Sequence, residues 1–300
     1  MADETNLEVP DPQAAIIRGI KSVPKRSTEP PRGQWSSPCN YEGSSIDLFM
    51  RGEVARAYSE GHGVELVKIT SPFTFPTSSL VRTFGDGVVS AAATGLHGCT
   101  SVIVVSRRGV WLSHIWETPS FTGLLLSRVP LMFEDGPSKE ARFSYEVLSA
   151  LRRGNATSAH HRTGIADLRS SETFHARRSR QRRSLFDNDA KPRVYIFTPK
   201  SLVRAGFRFP DQIETIKDEI LAIFGDYPVP IHAIGYDLPR EADVRGKKGK
   251  QQDTDYRTAK GKVLVQYQPN SNYNGRSRYR VWLEGRVHPY TSDQWNRNIT

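Results

Sequence analysis

Only 2 of the 300 residues are cysteine. That excludes a disulfide framework and leaves one conceivable bridge, Cys39–Cys99. Long apolar runs are also missing. No stretch approaches the ~18–20 apolar residues of a membrane span, so no membrane partner is expected. The N-terminus "MADETNLEVPDPQAAIIRGI" has no basic segment followed by an apolar one, so no secretory leader is expected. The default expectation is a reducing compartment, cytoplasmic or nuclear, with leaderless secretion left open. The sequons at Asn155 and Asn298 then carry no meaning. Apolar residues make up 37% of the chain, low for a compact protein, and 19 Pro with 23 Gly imply much irregular backbone. Acidic residues are outnumbered, 32 against 42 basic, for a net charge of +10.

That excess is localised. Arg152 to Arg183 hold nine Arg against Asp167 and Glu172, a balance of +7, which leaves +3 for the other 268 residues. A basic loop is therefore present, while a basic folded surface of the kind nucleic-acid binders carry is not evident. Nucleic acid stands as the weakest partner reading. The stretch "ARRSRQRRS" (176–184) fits a nuclear-localisation patch, a tether to an acidic surface, a dibasic protease site or a solvated charged loop.

Periodicity gives the organisation. Residues 1–45, with "VPKRSTEPPRGQWSSP", read as an irregular or disordered N-terminal segment. Helices are expected at 46–60, on Ile46, Phe49, Met50, Val54 and Tyr58, and at 138–153, on Phe143, Val147, Leu148 and Leu151. A third is expected over "DQIETIKDEILAIFG", with Asp211 and Glu214 as a capping pair, a buried stripe of Ile213, Ile216, Ile220, Leu221 and Phe224, and Gly225 as the stop. Strands are expected at 64–69, as two arms of a hairpin over 100–116, and at 193–199, 229–236, 262–268 and 278–284. The segment of about 154–190 has almost no large apolar residues and reads as a long disordered insertion, with His160, His161 and His175 solvated. "READVRGKKGKQQDTDYRTAKG" reads as a polar loop. Seven strands against three helices indicate an α+β fold with a mixed or antiparallel, β-sandwich-like core and peripheral helices. Residues 46–300 would form a single domain that the basic insertion interrupts. No nucleotide-binding Gly-rich loop follows a strand, and no repeat is visible.

The hairpin holds the candidate chemistry. Cys99 lies at one end and His114 fifteen residues later, with Ser106-Arg107-Arg108-Gly109 between the arms. An imidazole that takes the thiol proton makes a nucleophile of a cysteine. If Arg107 and Arg108 are the two turn residues, residue numbers across the ladder sum to 215. His114 then lies opposite Ser101, on the face of Cys99 and diagonal to it, about 7–8 Å away at the backbone. A three-residue loop ending at Gly109 would put the two on opposite faces, unless a bulge at Gly98-Cys99 restored the pairing. Gly98 permits a tight turn that leaves N–H groups near Cys99 free for an oxyanion. The bland alternative is a buried free cysteine. His97-Gly98-Cys99 lacks a second ligand pair, so zinc is not expected. Trp111, Trp116 and Trp282 are expected in the core, with Trp116 as a wall of the pocket. Glu117 is either a rim carboxylate or an orienter of His114.

"HGCTSVIVVSRRGVWLSHIW" resembles the active-site hairpin of the cytotoxic necrotizing factor catalytic domain, a family of glutamine deamidases acting on Rho-type GTPases. The chemotaxis-receptor glutamine deamidases are similar, with a Gly-Ser-Cys opening and slightly longer spacing. Papain-like peptidases, whose His follows more than a hundred residues later, fit badly. The resemblance covers roughly residues 60–120. It implies a β-sandwich with outer helices, no cofactor and no metal, and a protein substrate with an exposed glutamine, by resemblance a small GTPase. Cys99 would attack the carboxamide and His114 would move the proton. A backbone carbonyl or Thr hydroxyl would orient the ring, and Thr94 and the 64–69 carbonyls are the candidates here. The alternatives are an inactive interaction protein on the same fold and, behind it, a binder of nucleic acid through the Arg-rich insertion. A dyad would alkylate at Cys99 near neutral pH far faster than at Cys39, whereas an interaction protein would leave Cys99 inert.

Overall fold

The computed structural model describes residues 24–67, 74–122, 138–155, 158, 160–161, 163–170, 183–238, 258–271 and 275–296. Nine strands are described: β1 (Thr77–Thr83), β2 (Val89–Ala93), β3 (Ser101–Val105), β4 (Gly109–Ile115), β5 (Arg193–Pro199), β6 (Ile231–Tyr236), β7 (Val263–Ser271), β8 (Arg276–Leu283) and β9 (Thr291–Asn296). They form two sheets, one ordered β1-β4-β3-β5-β6 and the other β2-β7-β8-β9. Neighbours run antiparallel except β5 and β6, which are parallel. The α+β, antiparallel-rich sheet core is as expected.

Alternation along the strands sorts the side chains into layers. Ile103, Val105, Val110, Leu112, Tyr195 and Phe197 of the first sheet meet Ala91, Ala93, Val263, Val265, Tyr279 and Val281 of the second in one buried core. The opposite face of the first sheet, with Val102, Val104, Trp111 and Ile196, packs under three helices: α2 (139–153), α3 (Ile165–Arg169) and α4 (Pro210–Phe224). The outer face of the second sheet, with Ala92, Leu264 and Trp282, packs under α1 (Ile46–Ser59). The order is helices, sheet, sheet, helix. No helix among the described residues is long and apolar enough to cross a membrane.

Helix α1 starts where Ser45 accepts the Leu48 N–H, an N-cap that satisfies one orphan donor. Helix α2 changes from α to π hydrogen bonding over Ser144–Ser149 and back. Helix α4 differs from expectation in its N-cap and in one residue of its buried stripe. Pro210 occupies its first turn behind Phe209 at the N-cap, with no side-chain cap, so Asp211 lies inside the helix instead of capping it. Leu221 is 46% exposed, and Ile223 takes its place in the buried stripe. Gly225 at φ +58° ends the helix as expected.

Several other expectations change. Residues 64–67 are not a strand, because only Gly63 bridges Ala92; 68 and 69 lie outside the described residues. Three strands went unexpected: β1, β2 and β9. Residues 24–45 are irregular apart from two single 3-10 turns, yet they pack, with Trp35, Ser36 and Tyr41 buried. The basic segment is ordered at its flanks. Ile165, Leu168, Leu185 and Phe186 enter the helix-side core. His161 is fully buried rather than solvated, with Nε2 on the Ala150 carbonyl at 2.9 Å, and desolvation lowers its pKa to about 4. His160 meets Glu65 at 2.6 Å. His175 and residues 176–182 lie outside the described residues. Both cysteines are free, so the Cys39–Cys99 bridge does not form.

Candidate active site

The register question is settled by the turn. Ile103 pairs Leu112, Val104 pairs Trp111 and Val105 pairs Val110, each summing to 215, and Thr100 bridges Ile115 in the same register. Arg107 and Arg108 are therefore the two turn residues. The Ser106 hydroxyl holds them, accepting the N–H groups of Arg108 and Gly109 while donating to the Leu185 carbonyl. Cys99 belongs to the inter-sheet core with Ile103, Val105, Val110 and Leu112. Strand alternation puts His114 on that same face, and one further step in register sets Cys99 opposite Trp116.

Both groups lie deep. Cys99 is 4% exposed and His114 fully buried. The His114 Nε2 lies 3.4 Å from the Gly95 carbonyl, and the Trp116 ring stands edge-on to the imidazole at 5.4 Å. A backbone carbonyl, that of Gly95, thus lies within hydrogen-bond reach of the ring. Thr94, named from the sequence, has a buried hydroxyl with no hydrogen-bond partner among the described residues. The carbonyls of Val64 and Glu65 accept from Tyr58 and Ser78 instead.

Residues 94–99 reach this position through two left-handed glycines, Gly95 at φ +72° and Gly98 at φ +112°. The Gly98 N–H is not free. It donates to the Tyr236 hydroxyl at 2.9 Å, and that hydroxyl donates to the Cys99 carbonyl at 2.7 Å. Tyr236, the last residue of β6, thereby pins the backbone on both sides of the sulfur. The amides facing the sulfur are those of Glu117 and His97, and both favour thiolate. Burial outweighs them and, with the nearby Glu117 carboxylate, pushes the thiol up to about 12. Fast alkylation of Cys99 at neutral pH, expected from a Cys–His dyad, is therefore not what this environment supports.

Glu117 is half-buried and paired through Oε1 with Arg208 at 2.9 Å. Its Oε2 overhangs Gly98 so closely that a Cβ added there would lie 2.1 Å away. Desolvation raises the Glu117 pKa, and Arg208 opposes the shift. The Trp116 indole N–H is buried with no hydrogen-bond partner among the described residues. On the far side, Leu96 N–H meets the Gly261 carbonyl, and Gly261 N–H meets Glu284. Both sheets thus contribute to one end of the sandwich. Among the described residues, no group of three or more His, Cys, Asp or Glu side chains is set to hold a metal.

Sequence reasoning named Cys99, His114, Trp116 and Glu117 but missed Gly95, Tyr236 and Arg208. The last two come from chain positions more than ninety residues away, with no local signal. Comparison with protein-family models, with curated proteins and with solved structures finds no match to this chain.

Proposed function

We propose that the Cys99–His114 site hydrolyses the side-chain amide of a glutamine in a protein substrate. The observation carrying this reading is the 215 register, which sets thiol and imidazole on one sheet face at one end, with the ring within hydrogen-bond reach of the Gly95 carbonyl. In the reaction, His114 takes the thiol proton as sulfur attacks the carboxamide carbon, and the negative charge of the tetrahedral intermediate forms on the former carboxamide oxygen. His114 returns the proton to the departing nitrogen, so ammonia leaves and a thioester remains. Water, deprotonated by His114, then attacks the thioester and releases glutamate and the thiol. Because burial keeps Cys99 protonated at rest, proton transfer belongs to the attacking step and not to a standing ion pair.

A second reading is favoured by one observation. A sulfur 4% exposed, with its pKa raised this far, suits an interaction protein that keeps the fold without the chemistry. Intact mass separates the two. A Rho-type small GTPase incubated with the wild-type chain should gain ~1 Da, as amide hydrolysis demands. It should gain nothing with Cys99→Ser or His114→Ala. Equal gain with wild type and Cys99→Ser would remove Cys99 from the chemistry.

A further inference from the structure

We propose that Glu117 is the specificity residue of this site, the acceptor that selects a neutral carboxamide and rejects a carboxylate. The inference rests on the Cys99–His114 reading and adds what that site admits. A glutamine side chain offers a carbonyl acceptor and an NH2 donor; glutamate offers only acceptors and a negative charge. Selecting one from the other needs an acceptor that a carboxamide can satisfy and a carboxylate cannot.

Glu117 is built for that task. Arg208 fixes its Oε1, and Oε2 overhangs Gly98, immediately before the nucleophile. The absent side chain at Gly98 is what leaves room for this carboxylate, since any Cβ would collide with Oε2. The same residue presents its backbone amide to the sulfur. A group within reach of Cys99 therefore meets both ends of Glu117. The product carboxylate would face Glu117 as a like charge, which favours its release.

The test needs no known substrate. Iodoacetamide and iodoacetate have the same reactive carbon and differ in carrying a carboxamide or a carboxylate. Cys39, exposed and remote, is the internal reference. Each thiol of the intact chain is followed by mass over hours with each reagent. The amide-to-acid rate ratio at Cys99 should exceed that at Cys39 by about tenfold, the scale of one like-charge contact in a partly desolvated site. Glu117→Gln should bring the two ratios together, while Glu117→Asp should retain part of the difference. Taking ratios cancels any general change in Cys99 reactivity caused by the substitution. Equal ratios in wild type, or a ratio unchanged by Glu117→Gln, would overturn the role of Glu117 and leave the dyad standing. A Cys99 that labels with neither reagent until the chain is denatured would remove both.

Discussion

Cys99 sits where two demands conflict. Two backbone amides face the sulfur and favour its thiolate, while the sulfur also fills part of the inter-sheet core, where burial opposes ionisation. Its pKa of about 12 sets two measurable consequences. At pH 7.5 burial keeps the Cys99 thiol protonated, so Cys39, which is exposed, should be alkylated first in the native chain. The second consequence is stability in alkali. The folded pKa lies above the unfolded value near 9, so between these values the unfolded chain binds fewer protons and stability falls as pH rises. The slope is at most about 1.4 kcal/mol per pH unit for one group. Urea unfolding at pH 8 and pH 10 should show a larger loss for wild type than for Cys99→Ala. A mutant with the wild-type slope would mean that the thiol is hydrated in the folded state.

Elements were legible where the sequence encodes them locally. Helix α4 repeats apolar residues at helical spacing and ends at a glycine, and β3–β4 reads as two β-branched arms around a two-residue turn. The missed strands lack such marks. β1 reads "TSSLVRT" and β9 reads "TSDQWN", polar sequences at the edges of the two sheets. β2 reads "VSAAA", whose three alanines are buried because sheet, loop and helix approach closely there. The site followed the same division. The Cys–His face could be derived from the turn, whereas Tyr236 and Arg208 arrive through tertiary contacts that no local pattern announces. The turn is thus the element on which the site depends, and Ser106 is its staple. Ser106→Ala would orphan the buried N–H groups of Arg108 and Gly109 and the Leu185 carbonyl, and should cost about 1–3 kcal/mol. Urea unfolding measures this directly. A loss under about 0.5 kcal/mol, the range of an ordinary surface change, would mean the turn holds without its side-chain bonds.

At the scale of the molecule, the chain closes its second sheet with a segment that composition marks as irregular. Residues 24–45 have almost no regular structure, yet Trp35 lies over Arg280 at 4.1 Å and Arg278 at 4.3 Å, and the Ser36 carbonyl accepts from Arg280. Arg280 is buried among aromatic rings, with desolvation lowering its pKa to about 9, and Gln266 takes its Nε. Beside it, Arg26 reaches Glu53, which is 1% exposed and also accepts from the Tyr41 hydroxyl. Such a network is stable while every member is satisfied, and removing one partner strands a buried charge. Low apolar content therefore does not mean a dispensable segment, because here the polar groups are the buried ones. A chain starting at residue 46 would leave Glu53 without Arg26 and Tyr41, and Arg280 without its ring and carbonyl. The loss should be about 3–5 kcal/mol for the stranded Glu53 alone, with further loss from exposing Phe49 and Trp282. A chain starting at residue 24 keeps every one of these contacts. Thermal melting of the two truncations beside the full chain should give a large drop or insolubility for 46–300 relative to 24–300. Equal melting of all three would show that α1 alone is enough to seal the second sheet.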